Sequence, residues 1–101
     1  MVRVTTIFTR PNMKIPYYMD TNRDLKIKKE IFVTSCGLIT KFKKDDSDPL
    51  VQKIIVDFKD QETLQTFLQL WNEKFPTAIA ERDNYCSKHN ITIQRIEEVI
   101  E

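Results

Sequence analysis

The sequence predicts a small α+β sandwich of the split β-α-β type, with a four-stranded antiparallel sheet and helices on one face. Four segments have the alternating or β-branched character of strands: residues 2–9, 38–43, 50–58 and 91–96. Two longer segments, residues 21–36 and 60–89, carry helix signals. The resulting β-α-β-β-α-β order leaves one face of the sheet open, and partners or ligands normally bind to such a face.

The length and composition exclude several classes of protein. A chain of 101 residues predicts a single α+β domain that spans residues 1–101. The net charge of +1 gives no electrostatic basis for binding nucleic acid, and the apolar stretches are shorter than a membrane span. No signal peptide precedes the first strand, so we expect a cytoplasmic protein with reduced thiols at Cys36 and Cys86.

The first strand and the first helix are predicted from periodicity and caps. Apolar and polar residues alternate along residues 2–9, which is the period of a half-buried strand. Thr21 or Asn22 can cap the following helix, and Gly37 can end it in the left-handed conformation. The β-branched run 31–34 also suits a strand, and this alternative stays open. If the segment is a helix, its predicted core face is Leu25, Lys28, Ile31, Phe32 and Ser35.

A hairpin is predicted to follow the glycine. Residues 38–43 alternate, residues 43–49 form a polar loop rich in turn residues, and residues 50–58 form the next strand. One face of that strand is apolar apart from Gln52: Leu50, Ile54, Val56 and Phe58. Its other face is half apolar: Val51, Lys53, Ile55 and Asp57.

The second helical segment carries the clearest periodic signal in the chain. Asp60 is a suitable N-cap, and Pro76 must break the helix and suits the first turn of a second piece that runs to about His89. Asn90 can adopt the left-handed cap. The predicted core stripe is Leu64, Phe67, Leu68, Trp71 and Phe75. The last strand is assigned from Ile91, Ile93 and Ile96, followed by an acidic tail of Glu97, Glu98 and Glu101.

The sequence contains no recognisable catalytic or metal-binding constellation, and we expect no cofactor. Gly37 is the only glycine, so there is no glycine-rich phosphate loop. Cys86 and His89 have a helical spacing, but a structural zinc site needs about four ligands and the chain has no second histidine. The aspartates within residues 45–48 lack the central glycine and the downstream glutamate of a calcium loop.

Two groups of residues are the candidates for contact with other molecules. Aromatic residues of loops and helices, with polar neighbours, could line a pocket or the rim of an interface. This first group is Tyr17, Tyr18, Asn72, Tyr85 and His89. The second group is the apolar part of the predicted open face, where a partner subunit would bind: Ile7, Ile39, Val51 and Ile55.

Several pieces of the chain carry a family resemblance. They are residues 4–10, the Gly37-Leu38 junction, residues 44–49, and the strand end Ile54, Val56, Asp57 and Phe58 followed by residues 60–64. With them, the layout resembles the dimeric α+β barrel (ferredoxin-like) group, which includes the antibiotic-biosynthesis-monooxygenase-like domains. The resemblance implies that two subunits pair their open sheet faces into a dimeric barrel. In that family a tryptophan often closes the third strand, and Phe58 stands there instead.

The two ends of the chain carry a second resemblance. Residues 4–12 and residues 81–91 are similar to small uncharacterised proteins of tailed marine phages. This resemblance implies a virion or assembly component, and it adds the virion as an alternative location.

These observations lead to two hypotheses of different classes. The first is a non-catalytic, self-associating module that works by protein–protein contact, as a homodimer or with another protein. The second resemblance implies that this module is a phage structural or assembly protein. The alternative is a small cofactor-independent enzyme, a monooxygenase or isomerase, that acts on a hydrophobic small molecule. Its pocket would lie between sheet and helices, and the first group of candidate residues would supply its polar groups.

Overall fold

The computed structural model describes residues 1–100; Glu101, the end of the predicted acidic tail, lies outside them. The strands are β1 (Val2–Thr9), β2 (Ile39–Asp48), β3 (Val51–Phe58) and β4 (Thr92–Val99). The helices are α1 (Arg23–Ser35), α2 (Gln61–Lys74) and α3 (Ala78–Lys88), and a short 3₁₀ turn (Tyr18–Thr21) precedes α1. The elements follow the predicted β-α-β-β-α-β order, with the second helical segment divided in two.

The four strands form one antiparallel sheet in the order β2-β3-β1-β4. β1 lies inside the sheet, between β3 and β4. One crossover runs through α1 and the other through α2 and α3, and buried side chains of all three helices pack against one face of the sheet. This is the ferredoxin-like sandwich that the sequence predicts, so the predicted fold class is confirmed.

The segment with two open alternatives is helical. The side chain of Asn22 caps α1 by accepting a hydrogen bond of 3.1 Å from the backbone amide of Leu25. Gly37 follows the helix with a φ of +71°, a conformation that costs glycine little because it has no Cβ. Of the two predicted caps, Asn22 and not Thr21 caps the helix. The predicted terminator is confirmed, and residues 31–34 do not join the sheet.

The predicted core face of α1 is wrong in part. The helix buries Lys29 and Phe32 and keeps Leu25 against the core. At about 100° per residue, position 29 lies on the line that joins Leu25 to Phe32, so the long lysine side chain falls inside the buried stripe. The other residues predicted for this face are exposed: Lys28, Ile31 and Ser35.

The predicted polar loop at residues 43–49 is also wrong. β2 continues to Asp48, and the turn to β3 lies at residues 49–50. β3 offers a ladder of backbone hydrogen bonds along its length, and the charged side chains of an edge strand can stay in water while their backbone pairs. A polar composition therefore did not distinguish a loop from an edge strand.

β4 shows the same effect at the other edge of the sheet. It runs to Val99 instead of ending near Ile96, so that Glu97 and Glu98 lie in the strand and pair with residues of β1. The central strand has backbone groups to satisfy along its whole length, and glutamates on an edge strand can satisfy them without burying charge.

The caps predicted for the second helical segment are largely confirmed. Asp60 caps α2 by accepting a backbone hydrogen bond of 2.8 Å from the first turn. Asn90 has a φ of 58°, in the left-handed region. Pro76 ends α2, but it does not start the next helix as predicted. A hydrogen bond of 3.2 Å from the amide of Ala78 to the carbonyl of Phe75 closes a turn around it, and α3 begins after that turn.

The hydrophobic core lies between the helices and the sheet in two clusters. The larger cluster joins α1 and α2 to β1 and β3, and the predicted stripe of α2 packs in it, with Leu64 only 1% exposed. The smaller cluster lies beneath α3 and contains Phe8, Tyr17, Cys86 and Ile91. None of the helices within residues 1–100 has the length and apolar character needed to span a membrane.

Candidate functional site

The sheet face that no helix covers is the candidate site. Alternate residues of β1 are buried in the core, so Arg3, Thr5 and Ile7 point to the other side. Directly opposed residues of neighbouring strands share a face, and the register therefore identifies the rest of it. Across β2, β3, β1 and β4, the rows of this open face are Lys41-Asp57-Arg3-Glu98, Lys43-Ile55-Thr5-Ile96, Asp45-Lys53-Ile7-Gln94 and Asp48-Val51-Thr9-Thr92.

Aliphatic side chains form the apolar part of the open face. Ile7, Val51 and Ile55 lie on this face as predicted and are only half-buried by their neighbours within the sheet. Ile96, which is 38% exposed, lies in the same row as Ile55 and was not predicted. Its odd offset from the core-facing Ile93 was the sequence signal for this placement, because an odd spacing along a regular strand changes the face.

Ile39 does not lie on the open face, so its prediction as a residue of that face is wrong. It pairs with Phe58 and packs against the larger core cluster. A register shift between Ile39 and Lys41 explains the change, because the extra residue of a β-bulge resets which side chains face the helices. Alternation in the sequence does not show where such a bulge falls.

A partly buried ion pair lies at one end of the open face. Arg3 holds Asp57 with two parallel hydrogen bonds, Nε to Oδ1 at 2.8 Å and Nη2 to Oδ2 at 3.1 Å. The side chain of Asp57 is 2% exposed, and that of Arg3 is 35% exposed. With Lys41 and Glu98 in the same row, the charges alternate in sign across all four strands.

The ion pair keeps Asp57 ionised. The hydrogen bonds from Arg3 lower the pKa of the Asp57 carboxyl from its ordinary value, and the positive charge of Arg3 acts in the same direction, against the desolvation that opposes it. A carboxyl whose pKa is lower in the folded chain stabilises the fold above its unfolded pKa, and that contribution is lost as the pH falls through the folded value. Arg3 and Asp57 therefore form a charged pair on the open face at neutral pH.

Three of the predicted aromatic and polar residues come together around the 3₁₀ turn and α3. The ring centroids of Tyr18 and Tyr85 are 5.7 Å apart, and those of Tyr85 and His89 are 4.4 Å apart. The hydroxyl of Tyr18 donates to the carboxylate of Glu81 at 3.0 Å, and that of Tyr85 donates to the carbonyl of Pro16 at 2.6 Å. Both hydroxyls are thus used to tie the turn to α3.

Tyr17 and Asn72 are placed differently. Tyr17 is 8% exposed in the smaller core cluster, and its hydroxyl donates to the carbonyl of Pro49 at 3.3 Å. Asn72 lies exposed on α2. Tyr17 lines a surface pocket beside the β2–β3 turn, and the other four residues of the predicted group do not.

The part of the chain that the structure describes offers few groups that could bind a metal ion or act as a nucleophile. Within residues 1–100, no group of three or more His, Cys, Asp or Glu side chains is placed to hold a metal ion. Cys36 and Cys86 are free thiols. Burial raises the pKa of the Cys86 thiol, so that it stays protonated at neutral pH and is a weak nucleophile.

Lys29 is an unusual residue that sequence reasoning missed. Its side chain is buried on α1, and its Nζ lies 5.2 Å from the ring centre of Trp71, 5.7 Å from that of Tyr18 and 3.5 Å from the sulfur of Met19. Aromatic faces stabilise a cation only partly when water is removed. Desolvation therefore lowers the pKa of Lys29 from 10.5 to about 8, with a smaller contribution from the positive charge of Arg82.

The buried amine of Lys29 predicts a pH effect on stability. Its pKa is lower in the folded chain, so the unfolded chain binds more protons between about pH 8 and pH 10.5, and the contribution of Lys29 to stability rises with pH across that window. Between those limits, the free energy of unfolding of the unmodified chain should rise relative to that of Lys29→Met by on the order of 1 kcal/mol. This figure is discounted because the amine is partly solvated. Urea unfolding of both chains at several pH values measures the difference, and a pH-independent difference would contradict the placement of the amine.

Comparisons with known proteins support the fold. No protein-family model matches the chain, and no curated protein matches it. An antibiotic biosynthesis monooxygenase-like protein from Deinococcus radiodurans is similar in structure, with a TM-score of 0.63 and 12% identity over 100% of this chain and 93% of that chain. A dimeric ferredoxin-like protein from an uncultured marine organism has a TM-score of 0.67 and 8% identity over 99% of this chain and 94% of that chain. These structures confirm the predicted resemblance at the level of the fold.

Proposed function

We propose that the chain is a self-associating interaction module that forms a homodimer through its open face. The observation that carries the proposal is the placement of Ile7, Val51, Ile55 and Ile96 on a sheet face that no helix covers. Covering the exposed part of each of these side chains contributes about 1 kcal/mol. The dimeric state of the ferredoxin-like protein from the marine organism supports a homodimer.

The size of the open face suits a specific interface. Four strands spaced about 4.8 Å apart, each rising about 3.3 Å per residue over about eight residues, give a flat area on the order of 500 Å². Accessible surface exceeds flat area because side chains are rough, so a full face approaches the roughly 800 Å² that each partner contributes to a standard interface. A second copy can therefore cover this face without help from the helices.

The charges of the open face suit a second copy of the same chain. The face carries both signs, with Lys41, Lys43 and Lys53 beside Asp45, Asp48 and Glu98. A twofold interface brings the same patch of both subunits together, so it requires a surface that is complementary to itself. A face of one sign would repel its copy, whereas mixed charges around an aliphatic part allow pairing.

The proposal is tested by the mass of the particle in solution. We expect light scattering after size-exclusion chromatography to give twice the 12.0 kDa of one chain as the loading concentration rises to about 1 mM. A mass of 12.0 kDa at every concentration would reject self-association. Because electrostatic pairing is screened by salt and apolar contact is not, the dimer should persist in about 0.5 M salt.

The similarity of the chain ends to small proteins of tailed marine phages extends the proposal to a virion or assembly component. The self-associating face would then serve contacts between copies in a particle. Detection of the chain by mass spectrometry in purified virions supports this extension. If infected cells make the protein but the virions purified from them lack it, the extension is rejected. Neither outcome changes the proposal of a homodimer.

A further inference from the structure

A surface pocket lies beside the β2–β3 turn and shares only Asp48 with the open face. It has a volume of about 270 Å³ and opens on the helix-covered side of the sheet, where the loop before α1 faces the edge strand. This volume lies just below the roughly 300–1,000 Å³ of pockets for drug-sized ligands, so an occupant would be small. The pocket is lined by Arg10, Tyr17, Asp20, Lys44, Asp46, Asp48, Pro49 and Gln52.

The floor of the pocket contains a buried amide without a protein partner. Gln52 is 6% exposed and stands opposite Phe8, yet its side-chain amide makes no hydrogen bond with any group of residues 1–100. At the second β-bulge of β2, between Asp45 and Asp48, Asp46 and Ser47 stand opposite Gln52 without regular pairing. No polar atom of Gln52 is sealed from solvent, so the amide faces the pocket. The amide is therefore free to bond a ligand, and a hydrogen bond from it to a charged ligand group contributes about 1.5–3 kcal/mol.

The walls of the pocket carry fixed charges of both signs. The Arg10 guanidinium is held by hydrogen bonds from Nε to the Pro49 carbonyl at 2.8 Å and from Nη1 to the Ile15 carbonyl at 3.0 Å, and it stacks over the Tyr17 ring at 4.6 Å. Of the roughly five N–H groups of an arginine, three remain for a ligand. Asp46 and Asp48 of the edge strand also line the pocket. Asp46 lies 3.8 Å from the Nζ of Lys44, and Asp48 accepts a hydrogen bond of 2.9 Å from the amide of Leu50.

Both carboxylates line the pocket together with Tyr17. Desolvation is the main cause that raises the pKa of Tyr17, and the negative charges of Asp46 and Asp48 raise it further, while Arg10 lowers it. A guanidinium and two carboxylates thus line the same small volume. This arrangement suits a ligand that carries both a negative and a positive group.

We propose that this pocket binds a free α-amino acid. Arg10 receives the α-carboxylate, Asp46 and Asp48 receive the α-ammonium group, and the Gln52 amide completes the hydrogen bonds of either group. The lining contains three carboxylates, those of Asp20, Asp46 and Asp48, and two cations, those of Arg10 and Lys44. Lys26 forms an ion pair with Asp20 at 3.4 Å and offsets the third carboxylate, so recognition rests on the α-carboxylate and the α-ammonium group of the ligand.

The test is a titration followed by ¹⁵N NMR. L-Lysine is added stepwise to about 10 mM, and L-glutamate, butylamine and acetate are titrated in parallel. We expect the shifts caused by L-lysine to reach half of their maximum at about 1 mM. The amides that should shift are those of Arg10, Tyr17 and Gln52. Absence of a saturable shift with L-lysine would overturn the proposal. So would an equal response to butylamine, which lacks the carboxylate.

Two variants assign the binding to the pocket. Gln52→Leu removes the amide but keeps a similar volume, and it should weaken binding at least about tenfold. Asp46→Asn changes an exposed side chain, is not expected to disturb the fold, and should weaken binding by a similar factor. Gln65→Leu, on the exposed face of α2, is the matched control and should bind as the unmodified chain does. Unchanged binding in the first two variants would overturn the site.

Discussion

Replacing Phe67 with alanine is expected to destabilise the fold by about 3–5 kcal/mol, which is a large part of the roughly 5–15 kcal/mol of a typical domain. Phe67 joins three elements, since its ring centroid lies 5.1 Å from that of Phe58 in β3, 5.6 Å from that of Phe32 in α1 and 5.7 Å from that of Trp71 in α2. Truncation removes these contacts and leaves a cavity that the surrounding rings fill only in part.

Urea unfolding measures this effect, and the single tryptophan, Trp71, reports it through its fluorescence. Leu70→Ala is the matched control, because Leu70 lies on the same helix and is 39% exposed. This substitution should lower the free energy of unfolding by less than about 1 kcal/mol. Equal losses for the two variants would contradict the assignment of the core to the helix-covered face.

A lysine in place of Ile55 is expected to abolish the homodimer and leave the fold of the subunit intact. Ile55 points away from the helices, so the substitution adds no charge to the core. In the dimer, the new ammonium group would lie beside Lys43 in a desolvated interface. Burial of an unpaired charge costs several kcal/mol, which corresponds to at least about a hundredfold weaker association.

Sedimentation equilibrium of Ile55→Lys, with circular dichroism to confirm the fold, measures the loss. Ile31→Lys provides the control, because Ile31 is a 57% exposed isoleucine on α1. The control adds the same charge to a surface that the proposed dimer does not use, and it should dimerise like the unmodified chain. A dimer that survives Ile55→Lys, or one that Ile31→Lys disrupts equally, would place the interface elsewhere.

The comparison of sequence and structure shows which physical signals are local. The caps at Asn22 and Asp60 and the left-handed residues Gly37 and Asn90 depend on a few neighbouring residues, and all four are as predicted. The stripe of α2 is likewise visible from spacing alone. These local signals sufficed to obtain the element order and the fold class.

The errors arise where distant parts of the chain decide the outcome. Ile39 turns to the core because of a bulge, and a bulge depends on how two strands pair, not on the composition of either. The charged ends of β2 and β4 are strands because a neighbouring strand supplies hydrogen bonds to them. Lys29 is buried because the 3₁₀ turn and Trp71 close around it.

The candidate site was predicted only in its general position. The open face follows from topology, and Ile7, Val51 and Ile55 follow from strand alternation, whereas Ile96 required the register of β4 against β1. The aromatic group was predicted from residue type alone, and the structure uses Tyr18 and Tyr85 to hold the chain together. Residue type indicates what a side chain can do, and only its contacts show whether that capacity is already used.

The accessibility of isoleucine methyl groups in the unmodified chain tests the central claim most directly. A soluble paramagnetic agent broadens the NMR signals of methyl groups that water can reach. At concentrations where the dimer forms, the methyls of Ile7, Ile55 and Ile96 should be protected and that of Ile31 should be broadened, and dilution should expose the first three. Broadening of Ile55 as strong as that of Ile31 at every concentration would show that nothing covers the open face.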